Sequence, residues 1–141
     1  MVRKIADEHR ALDRLFATVL EQVQGGGVGA RGREAFEELR ETLESHLGAE
    51  ENLYFPTIWA VRPEFKDRLT AFIRVHHSYR SLVQEIAGLM ESGETEEAAY
   101  VLDGLRHDFS GHEGGEEDAL RSLDDVIQSG ESQQSRPAKR F

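Results

Sequence analysis

Apolar residues recur at helical spacing along four stretches of the chain, and no stretch alternates apolar and polar residues as a half-buried strand does. The pattern predicts four helices, over about residues 2–24, 31–55, 64–91 and 95–128. Long amphipathic helices with short connections favour an all-α fold. We therefore expect an antiparallel up-down-up-down four-helix bundle.

The connections are marked by residues that end helices. A glycine-rich segment follows the first predicted helix, Pro56 and Pro63 bracket a predicted turn, and Gly93 ends the third helix. The bundle would occupy residues 1–128. Residues 129–141 are rich in polar and charged side chains, so we expect a disordered polar tail there.

Each predicted helix carries one histidine within its apolar stripe: His9, His46, His76 and His112. The second and fourth histidines each begin the pattern His-x-x-x-Glu-Glu. Glu50 and Glu116 therefore follow their histidines by one helical turn and share their faces. Imidazole nitrogens and carboxylate oxygens that converge from facing helices are natural ligands for one or two metal ions.

Two neighbouring residues compete with these choices. His77 is turned by about 100° from His76, toward the edge of the stripe, so we favour His76. Glu117 lies at a similar edge beside Glu116. We favour Glu116 because it repeats the spacing between His46 and Glu50.

Composition narrows the chemistry. The 141 residues suit one domain, and the absence of cysteine excludes thiolate ligands and disulfides. A net charge of -10 argues against nucleic acid as a partner. No stretch has the apolar length of a membrane span and the amino terminus is charged, so we expect a soluble, cytoplasmic protein with no membrane partner. The oligomeric state is not indicated.

Two carboxylates on apolar helix faces need an explanation, because burying a carboxylate without a partner costs several kcal/mol. A hydrogen-bonded network of histidine and glutamate without metal is one solution. A set of nitrogen and oxygen ligands of this size favours a pair of iron ions, with manganese or mixed metals as alternatives.

The order of these histidines and glutamates, with Glu-Glu-x-Leu-Tyr-Phe-Pro after the first pair, resembles the hemerythrin-like HHE cation-binding family over about residues 2–128. The resemblance implies a non-haem di-iron centre in a four-helix bundle. It implies that Glu50 and Glu116 bridge the two iron ions together with an oxo or hydroxo group. The terminal ligands would then be His9, His46, His76 and His112.

The chain departs from the family's oxygen carriers, in which the third helix supplies two histidines one turn apart. Here Arg80 follows His76 by one turn and Ser81 follows His77, so one imidazole is missing. In the carriers the acid of the fourth helix follows its histidine by five residues, which would select Glu117 instead of Glu116.

Tyr54 is predicted to fill this vacancy. It follows Glu50 by one turn, on an inner face that would also include Leu53, and the corresponding residue of the fourth helix is Leu120. A phenolate is a hard anionic ligand suited to ferric iron. The alternatives are a tyrosine that hydrogen-bonds to a metal ligand and one that only packs at the boundary. Tyr79 is a further candidate for a hydrogen bond near the site.

An anionic ligand favours the ferric state and makes reversible oxygen carriage a poorer fit. We therefore expect redox activity toward peroxide, in a catalase-like disproportionation, and toward nitric oxide. Tyr54, Tyr79 and His77 are the candidates for the acid or base that this chemistry needs. The alternative is a module that binds or senses O2, nitric oxide or iron without turnover, and a bundle without metal is a third interpretation.

Overall fold

All regular structure in the residues described here is helical. The computed structural model describes the backbone of residues 1–24 and 29–139 and the side chains of residues 1–24 and 29–122. The elements are α1 (Val2–Gln24), α2 (Ala30–Ala49), a π-helical segment (Glu50–Tyr54), α3 (Phe55–Val61), a 3-10 turn (Pro63–Phe65), α4 (Lys66–Glu91) and α5 (Thr95–Lys139). The predicted all-α class is confirmed.

The four long helices pack in a bundle-like arrangement. Helix α1 packs against α2 and α5, and α4 packs against α5 and α2. One end of the interior is a large apolar cluster, whose fully buried members include Leu12, Phe16 and Phe109. A smaller cluster around Ile5, Phe55 and Leu69 closes the other end. The alternating direction of the helices stays a prediction.

The predicted turn between Pro56 and Pro63 is wrong over most of its length, because α2 continues through a π-helical segment into α3. The N–H of Phe55 bonds to the carbonyl of Glu50, five residues back. Pro56 then lies in the first turn of α3, where the N–H that proline lacks is least needed. A π turn holds one extra residue, and Leu53, which was expected inside, is 58% exposed.

Gly93 ends α4 as predicted. Its φ of +76° is a left-handed conformation that glycine adopts without strain. Its N–H bonds to the carbonyl of Met90, and the N–H of Glu94 bonds to that of Leu89. This pair of bonds is the Schellman motif, which satisfies carbonyls at the helix end and turns the chain toward α5.

Other expectations concern parts of the chain that the structure describes less fully. Residues 25–28 of the glycine-rich connection lie outside the described residues. Helix α5 extends to Lys139, and its side chains are described as far as residue 122. A disordered tail over 129–141 therefore stays a prediction. Within the described residues, no helix has the length and apolar content needed to cross a membrane.

Candidate metal centre

The Nε2 atoms of all four predicted histidines face the same two carboxylates. His46 Nε2 lies 3.2 Å from Glu50 Oε1, and His9 Nε2 lies 3.4 Å from Glu116 Oε1 and 4.0 Å from Glu50 Oε2. His76 Nε2 lies 3.3 Å from Glu50 and 3.5 Å from Glu116. His112 Nε2 also contacts Glu116. We call these six residues the inner cluster.

Burial makes this arrangement costly without a further partner. Both carboxylate oxygens of Glu50 and of Glu116 are buried without a hydrogen-bond partner, as are the Nε2 atoms of His46, His76 and His112. Buried polar atoms are almost always paired in proteins, and an unpaired one costs about 1–3 kcal/mol. Lone pairs of nitrogen and oxygen that face one another are the donor set of a metal ion. The residues therefore fit a metal centre.

The inner cluster contains two groups of donors close enough to hold an ion. The first group is His9, His46, Glu50 and Glu116, and the second is His76, His112 and Glu116. Glu116 belongs to both groups, and Glu50 contacts His76 of the second as well as His46 of the first. Each carboxylate thus lies between the two groups, where a bridging ligand would lie.

Two histidines of the inner cluster are held from behind by a carboxylate. His46 Nδ1 lies 3.2 Å from Glu8 Oε1, and His76 Nδ1 lies 2.8 Å from Glu51 Oε2. Each Nδ1–H donates to its acid, which leaves the Nε2 lone pair facing inward. Metal-binding histidines are usually oriented in this way, and the outer acid also raises the basicity of the ring.

Glu51 is in turn held by Arg80, the residue at the position where the oxygen carriers have their second histidine. An Arg80 N–H donates to Glu51 Oε1 at 3.1 Å, and its Nε donates to Glu44 Oε2 at 2.9 Å. Burial raises the pKa of Glu51, but the hydrogen bonds from Arg80 and His76 outweigh it and lower the pKa overall. Arg80 thus supports a ligand from outside instead of entering the inner cluster.

His9 faces more acids than the other histidines. Its Nδ1 lies 3.8 Å from Glu113 Oε2 and 3.7 Å from Glu117 Oε2. Glu113 is buried beside Asp13. Burial, with the negative charge of Asp13 and Glu117 beside it, raises the pKa of Glu113 to about 9.

The two inner carboxylates repel each other. Burial and the adjacent Glu116 raise the pKa of Glu50 far above its ordinary value. Burial also acts to raise the pKa of Glu116, but its close contacts with Glu50 and with the histidines outweigh burial and lower it. Without a cation the pair therefore holds one proton between them, whereas a cation would let both ionise.

The choice of His76 and Glu116 agrees with the geometry. His76 is fully buried, whereas His77 is exposed and joins neither donor group. Glu116 belongs to both inner groups, whereas Glu117 joins only the group on the outer side of His9.

The two predicted tyrosines lie beside the inner cluster, with their hydroxyls bound elsewhere. Tyr54 donates to Glu8 Oε2 at 2.9 Å, and Tyr79 donates to the main-chain carbonyl of Asp108 at 3.2 Å. Burial is the main cause that raises the pKa of both phenols, so both hold their protons. Ligation of a metal by Tyr54 would require its hydroxyl to leave Glu8, and this role stays a prediction.

Aromatic rings close the second group of donors. The ring of Tyr79 lies 5.6 Å from that of His112, and the ring of Phe72 lies 5.3 Å from it. Phe55 and Tyr79 both stack on His76, each at 6.4 Å between ring centres. These apolar walls keep water away from the inner carboxylates and strengthen electrostatic interactions there.

Comparison with known families agrees with this geometry. A family model for the hemerythrin HHE cation-binding domain matches residues 1–123. The chain belongs to the hemerythrin HHE cation-binding family. The match covers nearly the whole chain and confirms the resemblance seen in the sequence, and the inner cluster is a buried group of this hemerythrin domain that could hold metal. Comparisons with curated proteins and with solved structures find no match.

Sequence reasoning missed the outer acids of this hemerythrin domain. Glu8 and Glu51 each stand next to a predicted ligand in sequence, but each holds a histidine of a different helix. Glu113 follows His112 directly and turns toward His9. The position of these acids next to predicted ligands was visible in the sequence. The histidine that each acid contacts depends on how the helices pack, and spacing along one helix does not reveal it.

Proposed function

We propose that this hemerythrin domain holds two iron ions in the inner cluster and acts on hydrogen peroxide in a catalase-like disproportionation. The single observation that carries the proposal is the set of unpaired buried donors, in two groups that share Glu116. One ion would be held by His9, His46, Glu50 and Glu116, and the other by His76, His112 and Glu116. Bound iron would supply the electron transfer and the Lewis acidity that peroxide chemistry needs.

The two groups differ in a way that favours reactivity over simple storage. The second group has one carboxylate and two histidines, and Glu50 reaches it only through a contact with His76, whereas the first group has two of each. A metal site with fewer protein ligands keeps a position open for a small molecule such as peroxide, O2 or nitric oxide. The second group is therefore where substrate would bind, within the walls formed by Phe55, Phe72 and Tyr79.

Disproportionation consumes hydrogen peroxide alone and yields water and O2, so no other reductant is required. It does require a proton to move between the two peroxide oxygens. Tyr79 packs its ring against both histidines of the second group, and its raised pKa keeps the phenol protonated; to donate that proton its hydroxyl would have to leave the carbonyl of Asp108. His77 is exposed and lies outside both groups.

Tyr54 would act through Glu8. Its hydroxyl bonds to the acid that orients His46, which supports the hydrogen-bond alternative that the sequence left open. We expect Tyr54→Phe to keep the iron content and to alter peroxide turnover by less than about tenfold, since one hydrogen bond of about 1 kcal/mol is lost. If Tyr54 instead ligates ferric iron, a visible absorption band of the wild type will disappear in this variant.

The first experiment is elemental analysis of protein purified without a tag and without added metal. About two irons per chain is the expected result for two groups of donors in a bundle core. Evolution of O2 from peroxide is then compared between the wild type, Glu116→Ala and the exposed control Glu96→Gln. Loss of O2 evolution only in Glu116→Ala supports the proposal.

The alternative is a module that binds O2, nitric oxide or iron without turnover. The family match favours metal and small-ligand binding in general, so it supports this alternative equally. If the iron-loaded protein binds nitric oxide but evolves no O2 from peroxide, the binding or sensing function is correct and the catalase-like function is wrong. A protein with no iron, even after anaerobic loading, would exclude both.

A further inference from the structure

Three acids lie together on the outer side of His9, opposite the inner cluster. Asp13 follows His9 by one turn on α1, while Glu113 and Glu117 lie one turn apart on α5. We call them the outer acid group. The Oε2 atoms of Glu113 and Glu117 lie 3.8 and 3.7 Å from His9 Nδ1, and the ligand atoms of His9, Glu113 and Glu117 all lie within 4.8 Å of one another.

The charge of this group is not balanced by protein. Within the described side chains, no lysine or arginine forms an ion pair with Asp13, Glu113 or Glu117. The acid behind His76 differs, because Glu51 is bound by Arg80 at 2.9 Å. The outer acid group is therefore richer in acid than orienting one histidine requires.

Buried atoms aimed into the group lack partners. His9 is 2% exposed, and its Nδ1 has no hydrogen-bond partner although it faces two carboxylates. Glu113 is 4% exposed, and its Oε1 is also unpaired. One N–H on His9 could satisfy one oxygen only, and the other carboxylate oxygens would still need a positive partner.

We propose that the outer acid group binds a divalent cation of its own, separate from the ions of the inner cluster. Asp13, Glu113 and Glu117 supply carboxylate oxygens, the ligands preferred by Mn2+, Fe2+, Ca2+ and Mg2+. With a proton on Nδ1, His9 would donate to this group while its Nε2 faces the inner cluster. Glu117 is partly exposed, which gives a cation from solvent a way in.

The test is equilibrium binding of Mn2+ to protein already loaded with iron, followed by the electron paramagnetic resonance signal of free Mn2+. We expect the wild type to bind about one Mn2+ per chain more than Asp13→Asn or Glu113→Gln, at free Mn2+ up to about 1 mM, the weak end of carboxylate sites. Asp118→Asn is the matched control, because Asp118 is next to Glu117 but its side chain is 78% exposed.

Iron content, measured on the same samples, separates this site from the inner cluster. Asp13 belongs to neither donor group of the inner cluster, so Asp13→Asn should keep the iron content of the wild type. Equal Mn2+ binding by the wild type, Asp13→Asn and Glu113→Gln would overturn the proposal and leave a carboxyl–carboxylate hydrogen bond in its place. The quantity compared is the difference in bound Mn2+ between the wild type and each variant, so the test does not depend on how many ions the inner cluster holds.

Discussion

Glu50→Gln is predicted to stabilise the metal-free protein. In the folded state the pKa of Glu50 lies far above neutral, whereas in the unfolded chain it is near 4.5. Between these values the folded protein carries one more proton, so stability falls as pH rises, by about 1.4 kcal/mol per pH unit. At about pH 7 this cost reaches roughly 3 kcal/mol. Glutamine removes the titration, and its amide can still donate to Glu116.

The pH dependence is the sharper part of this prediction. Between about pH 6 and pH 8, the metal-free wild type should lose roughly 3 kcal/mol of stability more than Glu50→Gln does, because all other titrating groups are shared. Urea unfolding of both proteins at each pH, after metal has been removed with a chelator, gives the change in stability of the wild type and of Glu50→Gln. The exposed variant Glu96→Gln serves as the control and should follow the wild type within about 0.5 kcal/mol.

Loading with metal should reverse the sign of the stability difference, so that Glu50→Gln becomes less stable than the wild type. Glu50 contacts histidines of both donor groups, so Glu50→Gln should lose most of the stabilisation that iron provides, about 2.7 kcal/mol when free metal is 100 times its dissociation constant. If Glu50→Gln destabilises the metal-free protein, or if its pH dependence equals that of the wild type, the carboxylates are not crowded in the way that the geometry indicates, and the reasoning fails.

Two further predictions concern residues around the centre. Arg80→Leu should cost about 1–2 kcal/mol at neutral pH by leaving Glu51 with His76 as its one partner, and the cost should vanish as pH falls below the lowered pKa of Glu51, as measured by urea unfolding. Leu53→Ala should cost less than about 0.5 kcal/mol, whereas the buried Leu43→Ala should cost about 2–5 kcal/mol; equal losses of melting temperature would contradict the outward turn of Leu53.

The sequence predicted the helices well because each has a long apolar stripe. The bounds of α1 agree at both ends, and the third predicted helix ends at Glu91 as α4 does. The segment after Glu50 was misread because proline usually ends a helix, and only the π turn before Pro56 lets the chain continue. Spacing along an ideal helix therefore placed Leu53 inside, one residue out of register.

The inner cluster was predictable for a related reason, since its members repeat at fixed spacing on apolar faces. What spacing could not supply was the partner of each outer acid. Glu8 precedes His9 but holds His46, and Glu51 follows Glu50 but holds His76. Such pairs join different helices, so they are set by the packing of the bundle. The same limit applies to Tyr54, whose hydroxyl could be aimed only once Glu8 was placed.

The acids that orient the histidines, Glu8 and Glu51, also help to distinguish a metal centre from a metal-free hydrogen-bonded network. Burial is the main cause that lowers the pKa of His46, so at neutral pH its ring carries one proton. That proton lies on Nδ1, which donates to Glu8, so the Nε2 lone pair lies 3.2 Å from a Glu50 oxygen. A lone pair facing a carboxylate oxygen is repulsive unless Glu50 is protonated or a cation lies between them. A network can supply one proton to the inner carboxylates, but four inward Nε2 atoms and two carboxylates call for more positive charge than that, which metal ions held by these six residues would supply.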